Sequence, residues 1–125
     1  INKKVSVTNF INNLPTFIGF AGSVTAQTVS STAAVSVTTA LSLVTTTDTT
    51  ASTLADGTVV GQHKIIILDV DGGTTVCTPT TANGFTTITF ADVGDAVHLV
   101  WTTTRGWTAI GGGSGSAGDV GDLLA

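Results

Sequence analysis

Short apolar segments separated by glycine-bearing turns occupy most of the chain from Gly61 onward. They recur roughly every 8 to 12 residues, a spacing that is typical of β-sandwiches and small β-barrels. No segment shows the apolar spacing of an amphipathic helix. The sequence therefore predicts an all-β fold: an antiparallel sandwich or small barrel built of hairpins, with an extended N-terminal arm.

The segment QHKIIILDV is the best candidate for the centre of the core. It joins an alternating start to a continuous apolar run, which fits a strand covered on both faces. Asp71-Gly72-Gly73 then supplies the positive φ angles of a tight hairpin turn, after which TTVCTPTT resumes as a strand. Because Pro79 has no N–H to donate, this second strand is expected to lie at an edge or to end its pairing there.

Three further turns divide the rest of this region. Asn83-Gly84 is predicted to be a hairpin turn, and the strand FTTITF that follows places Ile88 and Phe90 on one face. DVGD is the next turn. The segments AVHLVWTTT and WTAI, separated by Arg105-Gly106, are predicted to form a last hairpin in which one face is shared by Val97, Leu99 and Trp101.

The stretch DVDGG also raises the question of a calcium loop. Such a loop needs oxygen ligands at alternate positions, a glycine at the sixth and a bidentate glutamate at the twelfth. Counted from Asp69, those two positions are Thr74 and Thr80. The pattern therefore favours a backbone turn over a metal site.

Three zones are predicted along the chain: an N-terminal arm over 1–33, a sandwich or barrel body over 34–110, and a Gly/Ser-rich tail over 111–125. The tail begins as a flexible linker, and its Leu123 and Leu124 are available for docking. Within the body, SVTTALSLVTTT predicts a half-buried strand whose inner row is Val37, Leu41 and Leu43. The arm carries the apolar residues expected to anchor it to a capsid or a neighbouring subunit: Phe10, Ile11, Leu14, Phe17, Ile18 and Phe20.

Composition excludes several classes of partner. Charged residues make up 10% of the chain, against about a quarter in an average domain, so threonine and serine hydroxyls must keep the surface hydrated. The net charge is −4 and the four basic residues are scattered, which argues against nucleic acid as a partner. No apolar run reaches the roughly 18 to 20 residues of a membrane span, and no membrane partner is expected.

No reactive set stands out. His63 and His98 are the only imidazoles, and each lies in a predicted strand without a nearby Glu or Cys to complete a metal or general-base set. Cys77 is the single cysteine and is expected to be a small buried hydrophobic residue. GGGSGSAG lacks the Lys-Ser/Thr of a phosphate loop. The sequence therefore predicts no catalytic residues, no metal and no cofactor.

Trp101 and Trp107 flank the TTTRG turn, with Arg105 between them. Two interpretations remain open for this hairpin. The indoles could form a stacking platform for a sugar, or they could pair across the strands and stabilise the sheet by about 0.2 to 1 kcal/mol without any ligand. Packing in the core or at an interface is the favoured alternative.

The region from Leu54 to Gly112 resembles a β-rich module of tailed-bacteriophage structural proteins. The features that carry the resemblance are ADGT and GQ before an apolar strand, a D-GG turn, a T-P-T strand, a turn before TTITF, the run VGD-x-V-x-L and a closing tryptophan. They cover about half the chain.

The resemblance implies a non-enzymatic virion protein. Modules of this kind occur in capsid decoration (cement) proteins and in virion appendages, usually as homotrimers. The expected partners are then further copies of the chain and the major capsid protein, and the expected location is the exterior of the capsid. The alternative is a tail fibre or appendage module that binds a host-surface glycan.

Overall fold

A computed structural model describes residues 27–30, 33–113 and 122–125, together with the single position Val7. The described residues form an all-β sandwich, which confirms the predicted fold class. Its strands, in chain order, are β1 (Gln27–Ser30), β2 (Leu41–Thr45), β3 (Thr50–Leu54), β4 (His63–Val70), β5 (Thr75–Pro79), β6 (Ile88–Phe90), β7 (Ala96–Thr102) and β8 (Gly106–Gly113). Over these residues, no helix is long and apolar enough to cross a membrane.

The strands form two sheets. One has five strands in the order β1-β2-β4-β7-β8, and the other has three in the order β3-β5-β6. The pairs β1–β2, β2–β4 and β3–β5 are parallel, whereas β4–β7, β5–β6 and β7–β8 are antiparallel. The two sheets are therefore mixed, where the sequence predicted antiparallel pairing.

The mixed pairing arises because the chain changes sheet where hairpins were predicted. Asp71-Gly72-Gly73 joins β4 to β5, which belong to different sheets, and DVGD likewise joins β6 to β7. Glycine is needed here because two backbone segments approach each other closely: a Cβ on Gly72 would lie 2.3 Å from the carbonyl oxygen of Thr46. The Asp71 carboxylate accepts a hydrogen bond from the Gly73 N–H at 3.0 Å, so DVDGG is a bend that crosses between sheets.

Other strand predictions hold. β4 is the middle strand of the five-stranded sheet, β7 and β8 form the predicted last hairpin, and Ile88 and Phe90 are both buried. β5 lies between β3 and β6, but its pairing with β6 ends at Cys77 and the strand itself ends at Pro79, the second of the two predicted alternatives. Buried side chains from both sheets fill the space between them: Val29, Val35, Val44, Leu54, Ile66, Leu68, Cys77, Phe85, Ile88, Phe90, Val97, Leu99, Trp101, Trp107 and Leu123.

Both ends of the body differ from the predicted zones. β1 falls inside the predicted arm, yet it pairs with β2 and buries Val29 in the core. At the other end, β8 continues to Gly113, and the described C-terminal residues dock on β6. Leu123 is 4% exposed, and its carbonyl accepts a hydrogen bond from the Thr89 N–H at 2.8 Å.

The inner row of β2 is also different from the prediction. Ser42 and Val44 face the core, while Leu41 and Leu43 are only partly buried on the opposite face. Val37 packs against the core but lies before the strand begins, so it does not share the period of β2. The predicted buried row of Val37, Leu41 and Leu43 is therefore wrong.

A buried lysine explains why a serine faces inward. Lys64 on β4 has no exposed surface, and its ammonium donates hydrogen bonds to the Thr39 carbonyl at 2.7 Å, the Thr39 hydroxyl at 3.2 Å and the Ser42 hydroxyl at 2.7 Å. Ser42 in turn donates to Gln27 Oε1 at 2.7 Å. Burying a charge is costly unless hydrogen bonds replace its water shell, and this network, which joins β1, β2 and β4, replaces it.

Burial lowers the pKa of Lys64 to about 8, and the nearby Cys77 thiol acts in the opposite direction. Below the folded pKa, the ammonium is present in both folded and unfolded chains, and the folded chain carries the full cost of desolvating it. As pH rises from about 8 towards the unfolded value of 10.5, the folded chain releases its proton first. The free energy of unfolding therefore increases with pH across this window.

We expect the free energy of unfolding to rise by about 1 kcal/mol between pH 7.5 and 9 in the native chain, and not to rise in Lys64→Met. The comparison stops at pH 9 because burial raises the pKa of Cys77 above 9.0, so this thiol destabilises the fold at higher pH. Urea denaturation at fixed ionic strength measures both slopes. An equal slope in the two chains would assign the effect to another group.

Candidate functional site: the outer face of the five-stranded sheet

The outward-facing side chains of β2, β4 and β7 form the most unusual surface of the described residues. Along each of these strands, buried positions alternate with partly buried ones. The partly buried set defines the outer face: Leu41, Leu43, Thr45, His63, Ile65, Ile67, Ala96, His98, Val100 and Thr102. A sheet whose second face meets water normally alternates apolar and polar residues, but these outward positions are mostly apolar.

Strand register makes the apolar residues contiguous. Leu41 lies beside Ile65, and Leu43 lies beside Ile67 in the parallel pairing of β2 with β4, so the four side chains form a two-by-two block. None of the outer-face residues carries a charge. Of the two charged residues in these strands, Lys64 is buried on the inner face, and Asp69 lies near the end of β4, where the register shifts. A contiguous uncharged apolar surface of this kind is typical of an interaction site.

A pair of imidazoles borders this block. His63 Nδ1 and His98 Nε2 lie 2.7 Å apart, and the ring centroids are 4.9 Å apart. Antiparallel pairing of β4 with β7 places His98 opposite Ile65 and His63 opposite Val100, so the two rings are diagonal neighbours on one face. The two histidines, for which the sequence indicated no nearby Glu or Cys, are thus hydrogen-bond partners of each other.

Burial lowers the pKa of His98, and the neighbouring His63 lowers it further. The physical causes are the loss of water around the ring and the repulsion that two imidazolium ions would experience at this distance. In the hydrogen bond between the rings, one of the two facing nitrogens carries the proton and donates, and the other accepts.

The tryptophan hairpin belongs to the core. Trp101 is 7% exposed and Trp107 is fully buried, with ring centroids 5.4 Å apart in an edge-to-face arrangement. Trp107 Nε1 donates a hydrogen bond to the Ala55 carbonyl at 2.8 Å. Arg105 is exposed in the turn between the strands. The indole faces are occupied by protein, so this geometry favours the packing interpretation over sugar stacking.

The remaining predicted residues are accounted for as follows. The arm anchors Phe10, Ile11, Leu14, Phe17, Ile18 and Phe20 lie outside the described residues. Cys77 is a buried free thiol, and its pKa is raised by burial, with Ser52 and Lys64 acting in the opposite direction. No group of three or more His, Cys, Asp or Glu side chains that could hold a metal ion occurs within 27–30, 33–113 and 122–125.

Comparison with known proteins found no matching family model, no matching curated protein and no matching solved structure. The functional inference below therefore rests on the residues and on their arrangement.

Trp107→Ala is expected to lower the free energy of unfolding by about 3 to 5 kcal/mol, because it leaves a large cavity and an unpaired carbonyl at Ala55. Arg105→Ala, only two residues away but exposed, should change it by less than about 0.5 kcal/mol. Urea denaturation of the two variants measures the difference. Similar values for both would contradict the burial of the Trp107 ring.

Proposed function

We propose that this protein is a structural component of a phage virion, a capsid decoration (cement) protein that binds the outside of the head and stabilises contacts between capsid subunits. The observation that carries the proposal is the uncharged apolar outer face of the five-stranded sheet. The resemblance of the region from Leu54 to Gly112 to phage structural modules supplies the class of assembly.

The outer face favours self-association. Full burial of a Val, Leu or Ile side chain stabilises by about 1.5 to 3 kcal/mol relative to full exposure, and the four aliphatic residues of the block are still only partly covered. A second copy of the chain can cover them without desolvating any charge, because the outer face has none. Closed symmetric assembly around an axis, as in a homotrimer, would cover the apolar block of every copy in the same way.

The N-terminal arm is the proposed capsid contact. Its six apolar anchors precede β1, which begins at Gln27, in the sequence, and in this proposal they bind the capsid shell. In a trimer, three such arms engage the shell together, and each contact can be weak because the second and third bind at a high effective concentration. The function is then mechanical, the clamping of neighbouring capsid subunits, and requires no catalytic group.

Ile67→Lys is expected to convert the proposed trimer into a monomer, since it places a charge within the apolar block. Thr53→Lys is the matched control, because Thr53 is an exposed residue of β3 in the other sheet. Light scattering coupled to size-exclusion chromatography gives the mass of each chain, and a thermal melt verifies the fold. A monomeric native chain at tens of micromolar, or an Ile67→Lys chain that remains trimeric, would contradict the proposed interface.

The capsid role is tested with phage heads produced without this protein. The full chain is expected to add density to the outside of such heads in electron micrographs, whereas a chain lacking residues 1–22 should not bind, although it retains β1 and its circular-dichroism spectrum. Density on the tail would overturn the decoration role. Equal binding by the truncated chain would show that the arm is not the contact.

A further inference from the structure

We infer that His63 and His98 form a two-imidazole site for a divalent transition-metal ion, with Cu²⁺ and Ni²⁺ preferred over Zn²⁺. The observation behind this inference is the 2.7 Å separation of His63 Nδ1 and His98 Nε2. Imidazole nitrogen is a ligand that these ions share, and the two nitrogens that face each other are the atoms that would bind.

The separation of the nitrogens selects the coordination geometry. Two nitrogens at about 2.0 to 2.1 Å from a metal are about 2.9 Å apart when they subtend a right angle, and about 3.3 Å apart at the tetrahedral angle. From 2.7 Å, the pair must therefore open by about 0.2 Å for square-planar or octahedral coordination, but by about 0.6 Å for tetrahedral coordination. Both geometries also require the rings to turn until the two lone pairs converge on the ion, but the first needs the smaller separation of the nitrogens, so ions with right-angled ligand sites are favoured.

The position of the pair makes it accessible and preorganised. Both rings are only partly buried, so an ion can reach them from solvent, and water can fill its remaining coordination positions. Each ring is carried by a strand within the five-stranded sheet, and β4 and β7 are hydrogen-bonded along five residue pairs. The ligands are thus mounted on rigid elements, which lowers the ordering cost of binding.

No other imidazole and no accessible thiol competes with the pair. The chain contains two histidines in total, so these rings have no competing imidazole elsewhere. Cys77, the only thiol, is 1% exposed and lies on β5 in the other sheet.

The test uses the full, untagged chain titrated with Cu²⁺ at pH 7.5 and followed by electron paramagnetic resonance. We expect one Cu²⁺ per chain, with hyperfine coupling to two imidazole nitrogens. His63→Asn and His98→Asn should each weaken binding about tenfold or more, since each removes one arm of the chelate. Thr108→Asn, which alters the residue beside Val100 on the neighbouring strand β8, is the matched control and should bind as the native chain does.

Two further measurements keep the inference falsifiable. In calorimetric titrations, Ni²⁺ should bind more tightly than Zn²⁺, the order set by the right-angled geometry. The Ile67→Lys chain should still bind one Cu²⁺ through two imidazole nitrogens, so the metal site stands or fails independently of the virion role. A Cu²⁺ spectrum with a single nitrogen ligand, or single-histidine variants that bind as tightly as the native chain, would overturn the inference.

Discussion

The buried ammonium of Lys64 sets the arrangement of the five-stranded sheet. Because the side chain has no exposed surface, its charge needs acceptors inside the sandwich, and these are supplied by Thr39 and Ser42. This requirement turns Ser42 inward. In a strand, a one-residue change of facing moves every side chain to the opposite face, so an inward Ser42 obliges Leu41 and Leu43 to point outward.

The outer face is a consequence of that choice. With Leu41 and Leu43 outward, β2 extends the apolar row that Ile65 and Ile67 of β4 begin. The polar network inside the sandwich and the apolar block outside it are thus two results of the same strand facing. The four aliphatic side chains of the block are therefore only partly covered within one chain, and covering them in an assembly is the physical basis of the proposed structural role.

Local patterns in the sequence predict the all-β class, the central position of β4, and the burial of Ile88, Phe90 and the Val97 row. Each of these depends on period-two alternation or on a turn within one sheet. At Asp71-Gly72-Gly73 and at DVGD the chain crosses from one sheet to the other, and these crossings could not be predicted in this way. In sequence, a glycine-bearing bend looks the same whether the next strand pairs with the previous one or joins another sheet. The predicted inner face of β2 is wrong because hydrophobicity alone selects Leu41 and Leu43. It takes no account of Lys64, 22 residues from Ser42, whose ammonium requires the serine to face inward.

The histidine pair shows the same dependence on register. His63 and His98 are 35 residues apart, and only the antiparallel alignment of β4 with β7 brings them together. Their place beside the apolar block couples two properties of the outer face. A bound divalent ion would put charge on an otherwise uncharged surface, so it would oppose docking of a second copy unless that copy provides ligands. Whichever sign the coupling has, it is reciprocal: association must change the affinity for metal by the same factor by which metal changes association.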